Sequence, residues 1–259
     1  MQLVAVLGTG PSARALARFR DPEHRVWLQV VPSGATNAAV RALPVLGFAG
    51  ALVFGDEARR EAARAVLRSS LDAEEQGAVD AITVAGDTTL GDHVGARALV
   101  DGLRTAGWEP RGARVLALGD GGGLRPVLRE LAAAGAEDVT VVAADAPTAE
   151  QVLPSLPNGV SGRALAARDP SVATLLERCD AVVRASDVIA PPADRLGPHL
   201  TLVDLAPELA SDWRTAGRAA GATCVAWADV EAYRVAAALR TVVGGAVDPG
   251  PLLELFHGA

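Results

Sequence analysis

The chain contains no lysine, since all 24 of its basic residues are arginine. A side-chain amine is therefore unavailable for proton transfer or for a Schiff base, whether or not the absence reflects a general drift of composition. Arginine does not take over as a proton carrier, because the pKa of its guanidinium stays above about 12. The absence excludes every mechanism that depends on a catalytic lysine.

Cysteine, long apolar runs and clustered positive charge are also scarce. Cys179 and Cys224 have neither the number for a disulfide framework nor the spacing of metal ligands, so we expect buried free thiols and no metal. No run reaches eighteen apolar residues and no charged-then-apolar leader is present, which predicts a cytoplasmic protein with no membrane partner. The net charge of −7, with no basic cluster, argues against nucleic acid as a partner.

Glycine, by contrast, is abundant, and it is concentrated in Arg114–Arg125, which reads RVLALGDGGGLR. The apolar run Val115–Leu118 ends there in closely spaced glycines, a helical pattern follows, and a second apolar run occupies Val139–Val142. Strand, glycine turn, helix and strand in this order form a nucleotide-binding half. The turn lacks Cβ atoms, so phosphate can approach the N–H groups of a helix N-terminus.

Apolar runs and helical patterns alternate along the whole chain, which predicts an α/β protein. Before the glycine loop, strands are expected at residues 3–7, 24–31, 48–54 and 79–85. From residue 115 onward, six apolar runs predict a Rossmann-like, doubly wound parallel sheet. Two last helices, at about 231–242 and 249–256, exceed what a finished sheet needs, and we expect them to return to the first domain.

Several stretches, in order, resemble the shikimate dehydrogenase family. Ala98–Gly122 is similar to the family's linker helix, junction and dinucleotide loop, and Gly47–Ala51 (GFAGA) to the lead-in of its substrate motif. Gln76–Asp80 (QGAVD) resembles a GAVNT segment, and Leu202–Gly244 resembles the last strands and closing helix. The resemblance covers nearly the whole chain. It implies a substrate-type domain at residues 1–95 and 231–259 and a dinucleotide-binding domain at residues 96–230.

The family reduces 3-dehydroshikimate with NADPH, using a lysine and an aspartate to serve the hydroxyl proton. The resemblance places that lysine at Ala58 and that aspartate at Gly95. The chain therefore has no catalytic residue of the family's type. Losing one positioned acid–base group costs about 10²–10⁴ in rate.

The positions that hold the substrate have changed as well. The resemblance places two carboxylate-binding serines at Ala15 and Ala17, asparagines at Leu52 and Asp80, and a glutamine at Arg234. Unpaired polar groups of a polyol acid are rejected by a pocket that lacks partners for them. The changes predict that shikimate itself is not the ligand.

The glycine loop matches the family's dinucleotide loop more closely than the substrate positions match theirs. The resemblance assigns dinucleotide binding to Gly119, Gly121, Gly122, Gly123 and Arg125. Asp120 replaces a small residue within the loop, and two interpretations stay open for it: a carboxylate that repels pyrophosphate, or a turn residue that faces solvent.

Two further positions bear on which cofactor binds. The family's NRT segment, whose arginine holds the 2′-phosphate of NADP, falls on Ala143, Ala144 and Asp145, which favours NAD over NADP. Asp145 fits two roles equally, a hydrogen bond to the NAD ribose or a cap on the next helix. The family's NAT segment ends at Ser186, a further candidate contact. A third alternative, that the chain binds neither dinucleotide, also stays open.

His93 is the one histidine near the presumed cleft, and it is a weak candidate for a replacement base, with a surface position at a helix start as the alternative. Three interpretations stay open for the carboxylates of Asp56, Glu57, Asp80 and Asp92. They form an acidic cleft, which with Arg234 opposite favours a cationic or zwitterionic ligand; they bind a metal; or they are solvated charges at helix starts, which is the commoner outcome.

The sequence thus predicts a shikimate dehydrogenase-like protein without shikimate:NADP oxidoreductase activity, retained as a small-molecule-binding or interaction scaffold. The alternative is an active NAD(P)-dependent oxidoreductase of the shikimate/quinate dehydrogenase type with a changed substrate. The small molecule is not identified by the sequence, and association as a homodimer stays open.

Overall fold

The structure is a computed structural model that describes residues 1–21, 25–32, 34–120, 123–186, 193–205 and 212–258. It divides into two compact units. The first consists of Met1–Ala98 together with Glu231–Ala259, and the second of Leu99–Val230.

The described residues form twelve strands and eleven α-helices. The strands are β1 (Gln2–Gly8), β2 (Val26–Val30), β3 (Gly50–Phe54), β4 (Arg68–Ser69), β5 (Ala81–Ala85), β6 (Thr88–Asp92), β7 (Arg114–Leu118), β8 (Asp138–Ala143), β9 (Ser161–Ala166), β10 (Ala181–Arg184), β11 (Thr201–Asp204) and β12 (Thr223–Val225). The helices are α1 (Pro11–Leu16), α2 (Thr36–Ala42), α3 (Asp56–Ala65), α4 (Leu71–Gln76), α5 (Gly95–Thr105), α6 (Leu124–Ala133), α7 (Ala146–Glu150), α8 (Ser171–Leu176), α9 (Asp212–Ala219), α10 (Trp227–Val243) and α11 (Gly250–His257). None of these helices is long and apolar enough to cross a membrane.

The sheet of the first unit has the order β2-β1-β3-β5-β6-β4 and is mixed. β1 pairs in parallel with β2 and β3, whereas β5 runs antiparallel to both β3 and β6. The hairpin between β5 and β6 was not expected from the sequence. Ala85 pairs with Thr88, so Gly86 and Asp87 form a two-residue turn, and Gly86 supplies the positive φ of +61° that such a turn requires.

Helix α3 is shorter than its sequence pattern suggests. The helical pattern that starts at Asp56 continues in the sequence to about residue 69. The helix itself ends at Ala65, because Val66 takes extended backbone (φ −65°, ψ 150°). The chain then forms β4, which pairs with β6, and the short helix α4, whose start is capped by the Ser70 hydroxyl. These additions close the edge of the sheet beyond β6.

The two C-terminal helices pack on the first unit, as expected. The hydroxyl of Thr83 on β5 donates to the carbonyl of Thr241 on α10 (3.2 Å), and α11 contacts α1. A Cβ at Gly50 on β3 would lie 2.7 Å from a methyl group of Val242, so this strand and this helix are in close contact. The chain therefore ends within the unit in which it begins.

The sheet of the second unit has six parallel strands in the order β12-β11-β10-β7-β8-β9, and this confirms the expected doubly wound fold. Its core is built from fully buried side chains such as Leu116, Val142 and Val182. Because β7 and β10 are neighbours and the chain winds outward from them in both directions, their carboxyl ends mark the place where ligands bind in such sheets.

Both cysteines of the second unit are free. Cys179 is buried, as expected, and burial raises the pKa of its thiol to about 12. Cys224 is only half-buried, and burial again raises its pKa. Both groups are therefore protonated near neutral pH.

Candidate functional site

A buried carboxylate anchors the candidate site of the first unit. Asp80 lies just before β5 and is 6% exposed. One of its oxygens accepts the N–H of Val94 and the other the N–H of Gly95, each at 2.8 Å. These donors are at the N-terminus of α5, where the helix dipole favours negative charge. Asp80 is therefore held by the helix start, and its negative charge is compensated locally.

Arg234 occupies the space beside Gly95. A Cβ at Gly95 would lie 2.6 Å from Nε of Arg234 and 2.8 Å from Oδ2 of Asp80. Arg234 projects from α10, and its Nη1 donates to Oε2 of Glu231 at 3.1 Å. Glu231 is itself 2% exposed, so this ion pair is anchored inside the unit. The structure thus brings Asp80, Gly95 and Arg234 together around one point.

Arg59 is a second cation in this cluster, and the sequence reasoning missed it. Its Nε donates to the carbonyl of Val53 at 3.2 Å, and its side chain is 15% exposed. Burial, and next the positive charge of Arg234, lower the pKa of Arg59, whereas the charges of Asp80 and Glu231 raise it. The charged groups near Gly95 therefore also interact electrostatically with Arg59.

The helical spacing of α3 could have indicated this position. Arg59 is three residues before the buried Ala62 and so belongs to the inner face of α3, while its neighbour Arg60 is exposed. The spacing of Ala58, Ala62, Ala65 and Val66 puts these residues on one face and predicts that the arginines of this helix lie on the other, solvent side. That prediction is wrong for Arg59.

His93 is half-buried beside the cluster. Burial lowers the pKa of its imidazole, the charge of Asp80 opposes that shift, and the charges of Arg234 and Arg59 reinforce it. Its backbone N–H donates to the carboxylate of Asp92 at 2.8 Å. The ring is therefore mainly neutral at pH 7, which is the form that accepts a proton.

The remaining substrate-pocket positions contribute no polar side chain. Ala15 is buried in α1, Ala17 is exposed just after it, and Leu52 is fully buried in β3. Ala58 is half-buried, and its Cβ lies 3.2 Å from where a Cβ of Gly8 would be. Apolar side chains therefore occupy the positions at which the resemblance puts the family's serines, asparagine and lysine.

The expected acidic character of this region requires correction. Asp80 is bound by the start of α5, and Asp92 accepts the hydroxyl of Ser70 at 2.5 Å. Asp56 and Glu57 are exposed in the first turn of α3. No group of three or more His, Cys, Asp or Glu residues within the described part of the chain is placed to hold a metal ion. The region around Gly95 therefore holds both signs of charge, with Asp80 and Glu231 beside Arg59 and Arg234.

The second unit presents a loop at the carboxyl ends of β7 and β10. Gly119 ends β7 with φ +112°, and a Cβ there would lie 2.4 Å from the Ser186 hydroxyl and 3.0 Å from its N–H. Glycine is therefore required by conformation and by space. The Ser186 hydroxyl is buried and has no hydrogen-bond partner in the described structure. A buried polar group without a partner is costly, so it is suited to meet a ligand.

Three other candidate cofactor contacts lie at the starts of helices. Gly123 precedes α6 without a side-chain cap, and Arg125 is exposed in its first turn. Gly121 and Gly122 lie outside the described residues. Asp145 caps α7 by accepting the N–H of Thr148 at 2.8 Å, and this hydrogen bond holds the pKa of Asp145 below its ordinary value.

A buried ion network lies deeper in the second unit. Arg184 is 1% exposed, and its Nε donates to Oδ1 of Asp204 at 2.7 Å, while Arg214 donates to Oδ2. The guanidinium of Arg184 also stacks over the ring of Trp213, 4.7 Å from its centre. Arg184 occupies the first position of the family's NAT segment, yet it is part of the core.

Two curated proteins match this chain in sequence. A shikimate dehydrogenase (NADP(+)) from Dinoroseobacter shibae is 36% identical over 148 residues, which cover 50% of this chain and 52% of the relative. A shikimate dehydrogenase (NADP(+)) from Acinetobacter baylyi is 31% identical over 84 residues, 32% of each chain. The longer of these matches spans about half the length of its relative. No protein-family model matches the chain.

Solved structures match over the whole chain. Quinate dehydrogenase from Corynebacterium glutamicum in complex with NAD has a TM-score of 0.82 at 18% identity and covers 100% of this chain and 99% of its own. Shikimate 5-dehydrogenase from Thermus thermophilus in complex with NADP(H) and shikimate has a TM-score of 0.79 at 20% identity, with coverages of 100% and 99%. A ligand-free 5-ketofructose reductase from Gluconobacter reaches 0.81 at 19% identity, with coverages of 99% and 98%. These structural likenesses show the fold.

Sequence and fold point to the same group of proteins. The chain is similar in sequence to shikimate dehydrogenases over about half of its length, and it shares the fold of shikimate and quinate dehydrogenases over its whole length.

The contact between Gly95 and Arg234 can be tested by stability. Gly95→Ala is expected to lower the free energy of unfolding by about 1–3 kcal/mol, because its Cβ overlaps a guanidinium held by Glu231. In an Arg234→Ala background the same change is expected to cost less than half as much. Urea unfolding of the four proteins measures this coupling. Gly245→Ala, where a Cβ meets open space, is the matched control.

Equal costs in both backgrounds would show that Arg234 does not fill the space beside Gly95.

Proposed function

We propose that this protein binds a small molecule on the shikimate dehydrogenase scaffold and does not oxidise shikimate with NADP. One observation carries the proposal: the guanidinium of Arg234 fills the space beside Gly95, the position that the resemblance assigns to the catalytic aspartate. The chain also has no lysine to act as the partner of that aspartate.

The chemistry of the family explains why this change is decisive. Oxidation of an alcohol by hydride transfer also releases the hydroxyl proton, and a positioned base must accept it. Ala58 and Gly95 offer no such group, and an arginine stays protonated in the neutral range. The region around Gly95 can therefore bind polar groups but lacks the acid–base pair.

A second candidate function is an NAD-dependent oxidoreductase with a changed substrate. It is favoured by the neutral, half-buried imidazole of His93, which is the proton-accepting form. In this alternative His93 takes the hydroxyl proton.

The residues of the second unit fit a dinucleotide. Gly119 allows close approach of the backbone, and the unpartnered hydroxyl of Ser186 is free to donate or accept. Ala144 is exposed and carries no charge for a 2′-phosphate, which supports NAD over NADP. A bound nicotinamide would supply hydride transfer; Gly119 and Ser186 would position the dinucleotide.

Calorimetric titration with NADH and NADPH tests this assignment. We expect NADH to bind at least about tenfold more tightly, since Ala144 offers no guanidinium to a 2′-phosphate. Ser186→Ala is expected to weaken NADH by about threefold to tenfold through loss of one hydrogen bond. Ser161→Ala, at the exposed start of β9, is the control and should bind as the unmodified protein does.

Tighter binding of NADPH would contradict the assignment of NAD. Binding of neither dinucleotide would eliminate the oxidoreductase alternative and leave the scaffold function standing.

A further inference from the structure

Arg59 is a largely buried cation without a close counter-ion. Its Nε donates a hydrogen bond to the carbonyl of Val53. Its terminal nitrogens have no hydrogen-bond acceptor among the described residues. The nearest carboxylate is that of Asp56, at 4.0 Å, and the Asp56 side chain is 63% exposed. Burying a charge without a partner is costly, so the arrangement favours an additional anion.

Arg59 and Arg234 both lie around Asp80. Val53, whose carbonyl accepts from Arg59, donates its N–H to the carbonyl of Asp80 at 3.0 Å, and a Cβ at Gly95 would lie 2.8 Å from Oδ2 of Asp80 and 2.6 Å from Nε of Arg234. The charge of Arg234 is the second cause, after burial, of the lowered pKa of Arg59, so the two guanidinium groups repel each other. The acidic groups facing them are already engaged, since Glu231 binds Arg234 and Asp80 binds the start of α5. The remaining titratable neighbour, His93, is mainly neutral near pH 7.

We propose that Arg59 and Arg234 together bind a carboxylate group of the ligand beside Gly95. The inference rests on the proposed small-molecule function and names the chemical class of the ligand. A guanidinium offers parallel N–H donors that match the two oxygens of a carboxylate. The guanidinium of Arg234 lies directly beside Gly95, where a Cβ would be 2.6 Å from its Nε.

The proposal also explains the loss of the serines at Ala15 and Ala17. The resemblance assigns these positions to the carboxylate of the family's substrate, and neither retains a hydroxyl. The carboxylate-binding role moves from α1 to the arginines of α3 and α10. An acid bound in this way places its carboxylate, rather than a hydroxyl, next to Gly95, which is consistent with the absence of a base there.

A matched pair of ligands tests the inference. Calorimetry at low ionic strength compares cyclohexanecarboxylate with cyclohexanecarboxamide, which has the same shape but no charge. We expect the carboxylate to bind at least about tenfold more tightly than the carboxamide, and raised salt to weaken its binding.

Arg59→Gln and Arg234→Gln are each expected to weaken binding of the carboxylate by about tenfold or more, and Arg59→Lys to weaken it by less. Arg60→Gln, one residue along the same helix and exposed, should have no effect.

Thermal unfolding of each variant shows that it is folded under the conditions of the titration. Equal affinity for the two ligands, no carboxylate binding, or an equal loss in Arg60→Gln would overturn the proposal. Tighter binding of inorganic phosphate than of the carboxylate would overturn the choice of carboxylate. The proposed function fails by a different result, turnover of shikimate, which is measured independently of these affinities.

Discussion

Asp204→Ala is expected to lower the free energy of unfolding by about 3–5 kcal/mol, because it leaves buried positive charge without its partner. The Asp204 side chain is 1% exposed, and its two oxygens bind Arg184 and Arg214. Arg184 is equally buried and has its strand and the Trp213 ring around it, so it cannot turn to solvent. Guanidinium chloride unfolding followed by tryptophan fluorescence measures the change.

Two further variants separate charge from packing. Arg184→Met combined with Asp204→Leu is expected to cost less than Asp204→Ala alone, since it removes both buried charges and Arg214, 20% exposed, can reach water. Asp194→Ala removes a surface carboxylate that is 76% exposed and should change stability by less than about 0.5 kcal/mol. A cost below about 1 kcal/mol for Asp204→Ala would show that the network contributes little.

The unmodified protein is expected to reduce NADP with shikimate at least about 10⁴-fold more slowly, in kcat/KM, than an authentic shikimate dehydrogenase. One missing acid–base group accounts for about 10²–10⁴ in rate, and the resemblance places both members of the pair at residues that carry no such group, Ala58 and Gly95. Absorbance of NADPH at 340 nm follows the reaction directly. The same assay with quinate and with NAD covers the neighbouring activities of the family.

Restoring the pair alone is not expected to rescue the reaction. Ala58→Lys with Gly95→Asp places a carboxylate where Arg234 already lies, and the new lysine replaces a half-buried alanine. Adding Arg234→Gln should raise activity above that of the double variant, because it vacates the space. A kcat/KM of the unmodified protein within about 100-fold of the authentic enzyme would refute the loss of catalysis.

The Rossmann-like sheet could be predicted because its strands are short apolar runs bounded by glycines and polar turns. Val115–Leu118 and Val139–Val142 are examples, and both coincide with observed strands to within one residue at either end. Burial on both faces of a parallel sheet produces such runs, so the pattern is local and strong. By contrast, Thr88–Asp92 is a strand of mixed polarity, and its pairing with β5 depends on a turn of only two residues.

The candidate site could be predicted only in part from the sequence, for a related reason. The sequence identified Asp80, Gly95 and Arg234 as substrate-pocket positions. It could not show that they surround one point, because Gly95 and Arg234 lie 139 positions apart in the chain. Arg59 was assigned to solvent, since a charged residue at the edge of an apolar face is usually exposed. The network of Arg184, Asp204 and Arg214 depends on strand pairing and on a helix, so no local pattern contains it. The cap formed by Asp145 was readable because it spans only three residues.

The contact between Gly95 and Arg234 also has an evolutionary consequence. A mutational path toward a carboxylate at position 95 must change Arg234 as well, and the order matters. If Gly95 changes first, the new side chain collides with the guanidinium. If Arg234 changes first, Glu231, whose side chain is 3% exposed, loses its partner inside the unit. Each single step passes through a less stable protein, so the contact opposes a stepwise gain of a carboxylate at position 95.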